Sequence, residues 1–483
     1  MELVGRASYR AGEGDRGDAG EDDAVCAEEE NEEEDEDEDR ALIGDTGEGP
    51  TGPLERRVRP RCTSAALGIR AALMFVRVGA IALVAALLSL AMPVLLPSLG
   101  VGYRIRGYMY YTSVPGHICL DGSSGGYWTD LAPRGDRRRW YIHLNGGGWS
   151  YTEETLRARA KMYFGNSSRY AWVKRTPSVF DREGPPPREF DDWNIVYFTY
   201  CSGDMYTGTG NVVAGMKING ANNFDATIAH IESAYGLRRN AQRIVLAGNS
   251  AGAGGVVFNV DGLAAAFPNV TVLGSPQSYM FPEIGVYNGS DARTWVPYSD
   301  YGDSLIDAGT YEKMFRAWRP RLPRACVDEH PVAPWTCLSP SGVYPYVDTP
   351  LFIATALTDY SFSSWYKRWP NVWPYPAGNT TMGSYEREFG RRTREVLGRI
   401  LRAHNGRRPN RAHVTGVYAL SCMLHDGYTN ALKIQGMSPA RALRRWIDDA
   451  GVGEFNHTLI DVCPDVFPPC NPTCQSKPAV YYR

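Results

Sequence analysis

Arg243-Ile244-Val245-Leu246-Ala247-Gly248-Asn249-Ser250-Ala251-Gly252 is the stretch on which the fold turns. Its first half is a short apolar run rich in branched residues, the pattern of a buried strand. Its second half fits G-x-S-x-G, and the small residues Ala251–Gly255 that follow can open a helix. Strand, sharp turn and helix in that order hold a serine in strained backbone at the end of the strand, with glycines flanking it. Taken alone the pattern also describes ordinary Gly/Ser-rich turns. The strand before it and the small-residue run after it favour a nucleophile turn.

Upstream, Trp140–Leu144 reads as another buried strand, ending at Asn145-Gly146-Gly147-Gly148-Trp149, and Asn194–Tyr200 as a third. Downstream, Leu351–Ala356 and His413–Leu420 are further strands. Helical patterns cover Glu153–Phe164, Phe224–Tyr235, the run after Ser250, Glu386–Ala403 and Pro439–Asp448, and Gly184–Pro187 reads as a loop. Ser438 and Pro439 give the last helix an N-cap and a first-turn proline. Strands alternating with helices imply an α/β fold with a mainly parallel sheet and crossover helices, of the α/β-hydrolase kind once the nucleophile turn is included. Residues 99–483 read as one such domain.

A serine nucleophile needs a base, and the base an orienting carboxylate, in the chain order Ser, Asp or Glu, His. Asp359 follows the strand Leu351–Ala356, and His425 follows the strand that ends near Leu420. Spacing alone does not select them over His404, His413 and His457. The glycines after Asn145 suit a loop whose backbone N–H groups face an oxyanion, with Ala251 after the nucleophile as the other half of the hole.

The N-terminal part belongs to a different environment. Residues 1–98 carry 10 Arg and 21 acidic residues, a formal −11, while the rest hold 41 basic and 33 acidic residues, a formal +8. Eleven of the twelve residues Glu28–Asp39 are acidic, which excludes a core there and implies a solvated tail. Residues 1–64 are therefore expected to be a disordered cytoplasmic tail, acidic and then basic. Val78–Pro97 runs twenty residues without a charge, preceded by Arg56, Arg57, Arg59, Arg61, Arg70 and Arg77. As a helix at roughly 1.5 Å per residue it spans about 30 Å, a bilayer core. The flanking arginines make 78–97 a transmembrane signal anchor with the N-terminus in the cytoplasm and the large domain lumenal or extracellular. A cleaved signal peptide is the rival, disfavoured by the long segment before the apolar run. The expected location is a single-pass type II protein of the secretory pathway, in the Golgi or at the cell surface.

Eight of the ten cysteines follow that span: Cys119, Cys201, Cys326, Cys337, Cys422, Cys463, Cys470 and Cys474. In a lumenal compartment they read as disulfides of open connectivity, with metal ligation by Cys463, Cys470 and Cys474 as the weaker alternative. Cys62, beside the span, is a free thiol or a palmitoylation site. Asn166, Asn269, Asn288, Asn379 and Asn456 fit the glycosylation sequon.

Cys119-Leu120-Asp121-Gly122-Ser123, Asn145–Trp149, Asp192-Trp193-Asn194, Tyr200-Cys201-Ser202-Gly203-Asp204 and Gly248–Gly252, in that order, resemble the pectin acetylesterase family, which includes the animal carboxylesterase Notum. Thr349-Pro350-Leu351-Phe352 leading to Asp359, Ser421-Cys422-Met423-Leu424-His425 and the Cys463…Cys470-Asn471-Pro472-Thr473-Cys474 run extend the resemblance over nearly all of residues 103–475. The resemblance implies Ser250 as nucleophile, Asp359 as acid, His425 as base, and an oxyanion hole from the amides of Gly148, Trp149 and Ala251. It implies no metal and no organic cofactor. Ser150 stands where the family often has Cys, and Asn249 and Asp426 where plant members often have Cys, so the family's disulfide pairings are not transferred; Ala253 stands where a second Gly is usual, but the nucleophile-turn pattern ends at Gly252 and survives.

The expected activity is a serine esterase removing O-acetyl groups from a polysaccharide, an acidic one such as acetylated galacturonan suiting the +8 balance. No nucleic-acid partner is expected, and the oligomeric state is left open. Two alternatives stand beside this reading: a Notum-like carboxylesterase removing a fatty acyl group from a secreted protein, and a catalytically dead, membrane-tethered glycan-binding protein. Trp149 and Tyr206 read equally as sugar-stacking or core aromatics.

Overall fold

The computed structural model describes residues 107–132, 135–177, 188–282, 308–359, 361–362, 380–406, 414–426, 428–449, 457–463 and 469–474. All lie within the unit Leu96–Arg483. The acidic tail, the 78–97 segment, Cys62, the Gly184–Pro187 loop, His413 and the sequons at Asn288, Asn379 and Asn456 lie outside the described residues. Among the described residues no helix is long and apolar enough to cross a membrane.

Ten strands form one sheet: β1 (Tyr108–Ile118), β2 (Ser124–Asp130), β3 (Arg139–Leu144), β4 (Val173–Arg175), β5 (Asn194–Phe198), β8 (Arg243–Asn249), β9 (Thr271–Gln277), β10 (Phe352–Ala356), β11 (Gly416–Leu420) and β12 (Thr458–Ile460). A separate hairpin pairs β6 (Asn211–Val213) with β7 (Met216–Ile218). The sheet order is β12-β11-β10-β9-β8-β3-β5-β2-β1-β4. From β5 to β12 every pairing is parallel, whereas β2, β1 and β4 add an antiparallel edge.

Period-two alternation divides the central strands between two cores. Ile142, Leu144, Ile244 and Leu246 face one side, packed with helices α2 (Gly220–Tyr235), α3 (Ala251–Ala266) and α5 (Thr380–Gly406). Tyr141, Val245, Ala247, Leu273 and Phe352 face the other, packed with Leu443 and Trp446 of α6 (Pro439–Asp448). α6 has the expected bounds. Ser438 accepts from the Arg441 N–H, Pro439 opens the first turn, and the buried residues line one face. Two shorter helices, α1 (Glu153–Ala160) and α4 (Ala308–Trp318), flank the loops described below.

The five expected strands and five expected helices are all present, with shifted ends. α1 stops at Ala160 rather than Phe164, α2 begins four residues earlier than expected, and α5 is longer at both ends. Strands β1, β2, β4, β6, β7, β9 and β12 are not among the five read from the sequence. β9 carries Gly274 and Pro276, residues disfavoured inside strands, yet it pairs in parallel with β8 over seven positions.

The eight cysteines after residue 98 are all paired: Cys119–Cys201, Cys326–Cys337, Cys422–Cys474 and Cys463–Cys470. Cys463, Cys470 and Cys474, for which metal ligation is the alternative reading, are thus disulfide-bonded. The first bridge closes a separation of 82 residues, enough to restrain the unfolded chain by about 4 kcal/mol.

Candidate active site

Ser250 sits between β8 and α3 with φ 52° and ψ −122°. A non-glycine residue there costs about 1–3 kcal/mol, which surrounding structure must offset. Its N–H donates to the Gln277 carbonyl at 2.9 Å, and its carbonyl accepts from Ala253 N–H at 2.9 Å. Close approach makes the turn possible. A Cβ on Gly252 would stand 2.0 Å from the Leu144 carbonyl oxygen, and one on Gly146 would stand 2.6 Å from the Asn249 carbonyl oxygen.

The structure brings Ser250, His425 and Asp359 together. Ser250 Oγ lies 2.7 Å from His425 Nε2, and His425 Nδ1 lies 2.9 and 2.8 Å from the two Asp359 carboxylate oxygens. With Asp359 ionised, Nδ1 carries the proton and Nε2 is free to accept from the serine hydroxyl. Asp359 Oδ1 also accepts the N–H groups of Ser361 at 3.1 Å and Phe362 at 3.2 Å. The His425 backbone is anchored through its carbonyl, which accepts from Ser278 Oγ, and Ser278 Oγ is 3.0 Å from Tyr428 OH. The Ser250, His425 and Asp359 side chains are all buried.

Burial pushes the His425 imidazole down, but the charge of Asp359, then that of Asp426, and the hydrogen bond to Asp359 outweigh it and hold the imidazole above its ordinary value. Burial pushes the Asp359 carboxyl up, opposed by the charge and hydrogen bond of His425 and by the Phe362 N–H.

The loop after β3 turns through φ +145° at Gly147 and +63° at Gly148. Four of its carbonyls are held by side chains. Tyr206 OH donates to Asn145 O at 3.0 Å, Arg159 to Gly147 O at 2.7 Å, Tyr200 OH to Gly148 O at 2.9 Å, and Trp318 Nε1 to Ser150 O at 2.8 Å. In a trans peptide the N–H points opposite to the C=O. Arg159 therefore fixes the direction of the Gly148 N–H and Tyr200 that of the Trp149 N–H. Ala251 is the first residue of α3, where N–H groups have no intrahelical acceptor. Of the three expected oxyanion donors, the Gly148 and Trp149 N–H groups thus have their directions set by Arg159 and Tyr200, and the Ala251 N–H opens the helix that follows Ser250. Arg159 also bonds Ser150 Oγ at 2.9 Å, at the position where the family often has Cys.

Two aromatic expectations resolve toward the core. Tyr206 is buried and stacked on Tyr200 with centroids 4.9 Å apart, and Trp149 is buried against Phe362. The rival histidines lie elsewhere: His404 bonds Thr415 Oγ1 and the Tyr344 carbonyl, and His457 bonds Asp449. Asn166 is partly exposed and caps a short turn through Oδ1 to Ser168 N–H, whereas Asn269 is exposed. Sequence reasoning gave no role to Arg159, Tyr200, Asn249 or Asp426. Asn249 meets Asp426 across 177 residues and Tyr200 meets Gly148 across 52, while Arg159 bonds Gly147 and Ser150 only 12 and 9 residues away through contacts that no sequence pattern marks.

The model of the family described as Pectinacetylesterase matches residues 108–475. The palmitoleoyl-protein carboxylesterase notum1 of Xenopus laevis is 26% identical over 390 residues, covering 74% of this chain and 72% of the relative. Pectin acetylesterase 7 of Arabidopsis thaliana is 27% identical over 274 residues, covering 55% of this chain and 64% of the relative. The structure of the Wnt deacylase Notum from Drosophila superposes with a TM-score of 0.61 at 23% identity, covering 76% of this chain and 99% of that one.

Proposed function

The chain belongs to the pectinacetylesterase family, and from that membership and the geometry of the site we propose that it is a serine carboxylesterase removing O-acetyl groups from a polysaccharide. Ser250 Oγ attacks the ester carbonyl as His425 Nε2 takes its proton, and Asp359 stabilises the imidazolium. The tetrahedral oxyanion is held by the amides of Gly148, Trp149 and Ala251. Collapse expels the sugar alcohol, which leaves with the proton from His425, and acetyl remains on Ser250. Water, deprotonated by His425, then releases acetate and regenerates the serine.

The observation that carries the short-acyl reading is the aromatic packing beside the base. Phe362 lies edge-on to His425 with centroids 5.2 Å apart, Phe281 packs on Phe362 at 4.1 Å, and Trp149 stacks on the same ring at 6.3 Å. Trp149, Phe281 and Phe362 are 6%, 3% and 0% exposed. A long acyl chain entering there must displace packed rings. Acetyl p-nitrophenyl ester is therefore expected to show higher kcat/KM than the octanoyl ester, and acetylated pectin to release acetate. Each buried methylene stabilises by about 0.8 kcal/mol, so a preformed acyl groove would reverse that preference by roughly three orders of magnitude over six extra carbons. A strong octanoyl preference with no acetate from any polysaccharide would favour the protein-deacylating activity named for the Notum relatives.

In the same reading residues 78–97 anchor the protein in a secretory membrane with the esterase domain lumenal and glycosylated at exposed sequons. Protease treatment of sealed microsomes is expected to remove the acidic tail and spare a glycosidase-sensitive 99–483 fragment. The opposite protection pattern means an inverted orientation.

A further inference from the structure

One side-chain amide joins the three loops that make up the site. Asn249 Oδ1 accepts from the Gly146 N–H at 3.1 Å and lies 3.0 Å from His143 Nε2. Asn249 Nδ2 donates to Asp426 Oδ1 at 3.0 Å. A backbone N–H can only donate, so the Gly146 contact fixes which amide atom faces it. Oδ1 being an acceptor, His143 must present Nε2–H. These three bonds take both lone pairs of Oδ1 and one of the two N–H groups. Their partners are the start of the oxyanion loop, the end of β3, and the residue after the base, while Asn249 itself precedes the nucleophile.

We infer that Asn249 and Asp426 are positioning residues that hold the oxyanion loop, the nucleophile turn and the base loop in one register for the esterase reaction. The inference rests on the esterase reading but not on the identity of the acyl or alcohol group. Neither residue reaches the reacting atoms. Asn249 acts through the Gly146 loop and Ser250, and Asp426 through Asn249 and through its charge on His425. The geometry explains why the Gly146 position needs glycine, since a Cβ there would stand 2.9 Å from Asn249 Nδ2. His143 is suited to a fixed donor role. It is stacked on Tyr197 at 4.6 Å, and burial pushes its imidazole down to about 4, so it stays neutral while the enzyme works. The charged groups that face these rings are Asp359 and Asp426 toward His425, and Lys174 and Asp426 toward His143.

Misplacement of reacting groups by about 1 Å can slow an enzyme about 100-fold. Asn249→Ala is expected to lower kcat for p-nitrophenyl acetate by about that factor with KM changed less than about threefold, and to slow phosphonate labelling of Ser250 in parallel. Asn249→Asp sets a second carboxylate against Asp426 and should do at least as much harm. In the Asn249→Asp/Asp426→Asn double variant donor and acceptor change places, the bridge re-forms, and kcat should recover at least about tenfold over Asn249→Asp alone. Asp426→Asn by itself can still accept from Asn249, so it should keep most of kcat at high pH while the acid limb of kcat/KM moves to lower pH. The Asn/Asp exchanges are nearly isosteric and Asn249→Ala only removes atoms, and thermal unfolding checks that all of them fold. The positioning role is overturned if Asn249→Ala retains wild-type kcat, or if the double variant is no better than Asn249→Asp. The electrostatic part is overturned if Asp426→Asn leaves the acid limb in place. A generic acetate ester and a phosphonate report on these outcomes even if acetylated polysaccharide proves not to be the substrate.

Discussion

Ser250→Ala is expected to lower kcat by about 10⁴–10⁶ on any ester the wild-type chain hydrolyses, with thermal stability almost unchanged. The size follows from what is removed. Without Oγ no acyl-enzyme forms, His425 Nε2 loses its 2.7 Å partner, and catalysis falls back on the oxyanion amides and on binding. Those leave roughly 10³–10⁴ over the reaction in water. Stability should hold because alanine carries the same Cβ through the same positive-φ turn, and His425 keeps both contacts to Asp359. The check is kcat/KM on p-nitrophenyl acetate, with mass spectrometry after phosphonate treatment to show that only the wild type is labelled, at Ser250. Turnover near the wild-type rate would mean that another nucleophile acts and would remove the triad from the mechanism.

The strand, turn and helix around Ser250 were legible because their requirements are local. A strand that packs on both faces must be apolar, the turn must be glycine-flanked, and the helix must start small, so Arg243–Gly252 records all three. α6 was legible to the residue because Ser438 and Pro439 signal its start chemically. Asp359 and His425 were legible as positions after β10 and β11, because parallel strands deliver their following loops to one edge of the sheet. That His425 rather than His404 meets Ser250 is a matter of three-dimensional packing. β9 was hidden by Gly274 and Pro276, since buried parallel neighbours override local turn propensity. The antiparallel edge was hidden in a similar way: β1 contains Pro115 and Gly116 and breaks register between Ser113 and Ile118. Disulfide pairing depends on which loops meet, and Cys422–Cys474 joins segments 52 residues apart. The side chains that hold the glycine loop after β3 were the least legible. Arg159, Tyr200 and Trp318 act by bonding backbone carbonyls, which any sequence supplies.

Asp359→Asn is expected to cost about 10⁴ in kcat near neutral pH, and the reason is the tautomer of His425 more than the loss of charge. Asp359 Oδ1 receives the N–H groups of Ser361 and Phe362. An amide at this position keeps its oxygen toward those donors and turns its NH₂ toward His425 Nδ1. The imidazole then accepts at Nδ1, carries its proton on Nε2, and has no lone pair for the Ser250 hydroxyl. The pH profile gives a second, independent reading. His425 must be neutral to act as base, and the charges of Asp359 and Asp426 raise it above its ordinary 6.5 against the opposing effect of burial. Wild-type kcat/KM should therefore fall as pH is lowered through a value above 6.5 and rise toward a plateau on the alkaline side. In Asp359→Asn burial is opposed by Asp426 alone, so the acid limb of the residual activity should move to lower pH while the plateau stays depressed. Measuring kcat/KM across pH for both proteins separates the two effects. A loss smaller than about tenfold would remove Asp359 as the orienting carboxylate. An unmoved limb would mean that the group titrating in the wild type is not His425.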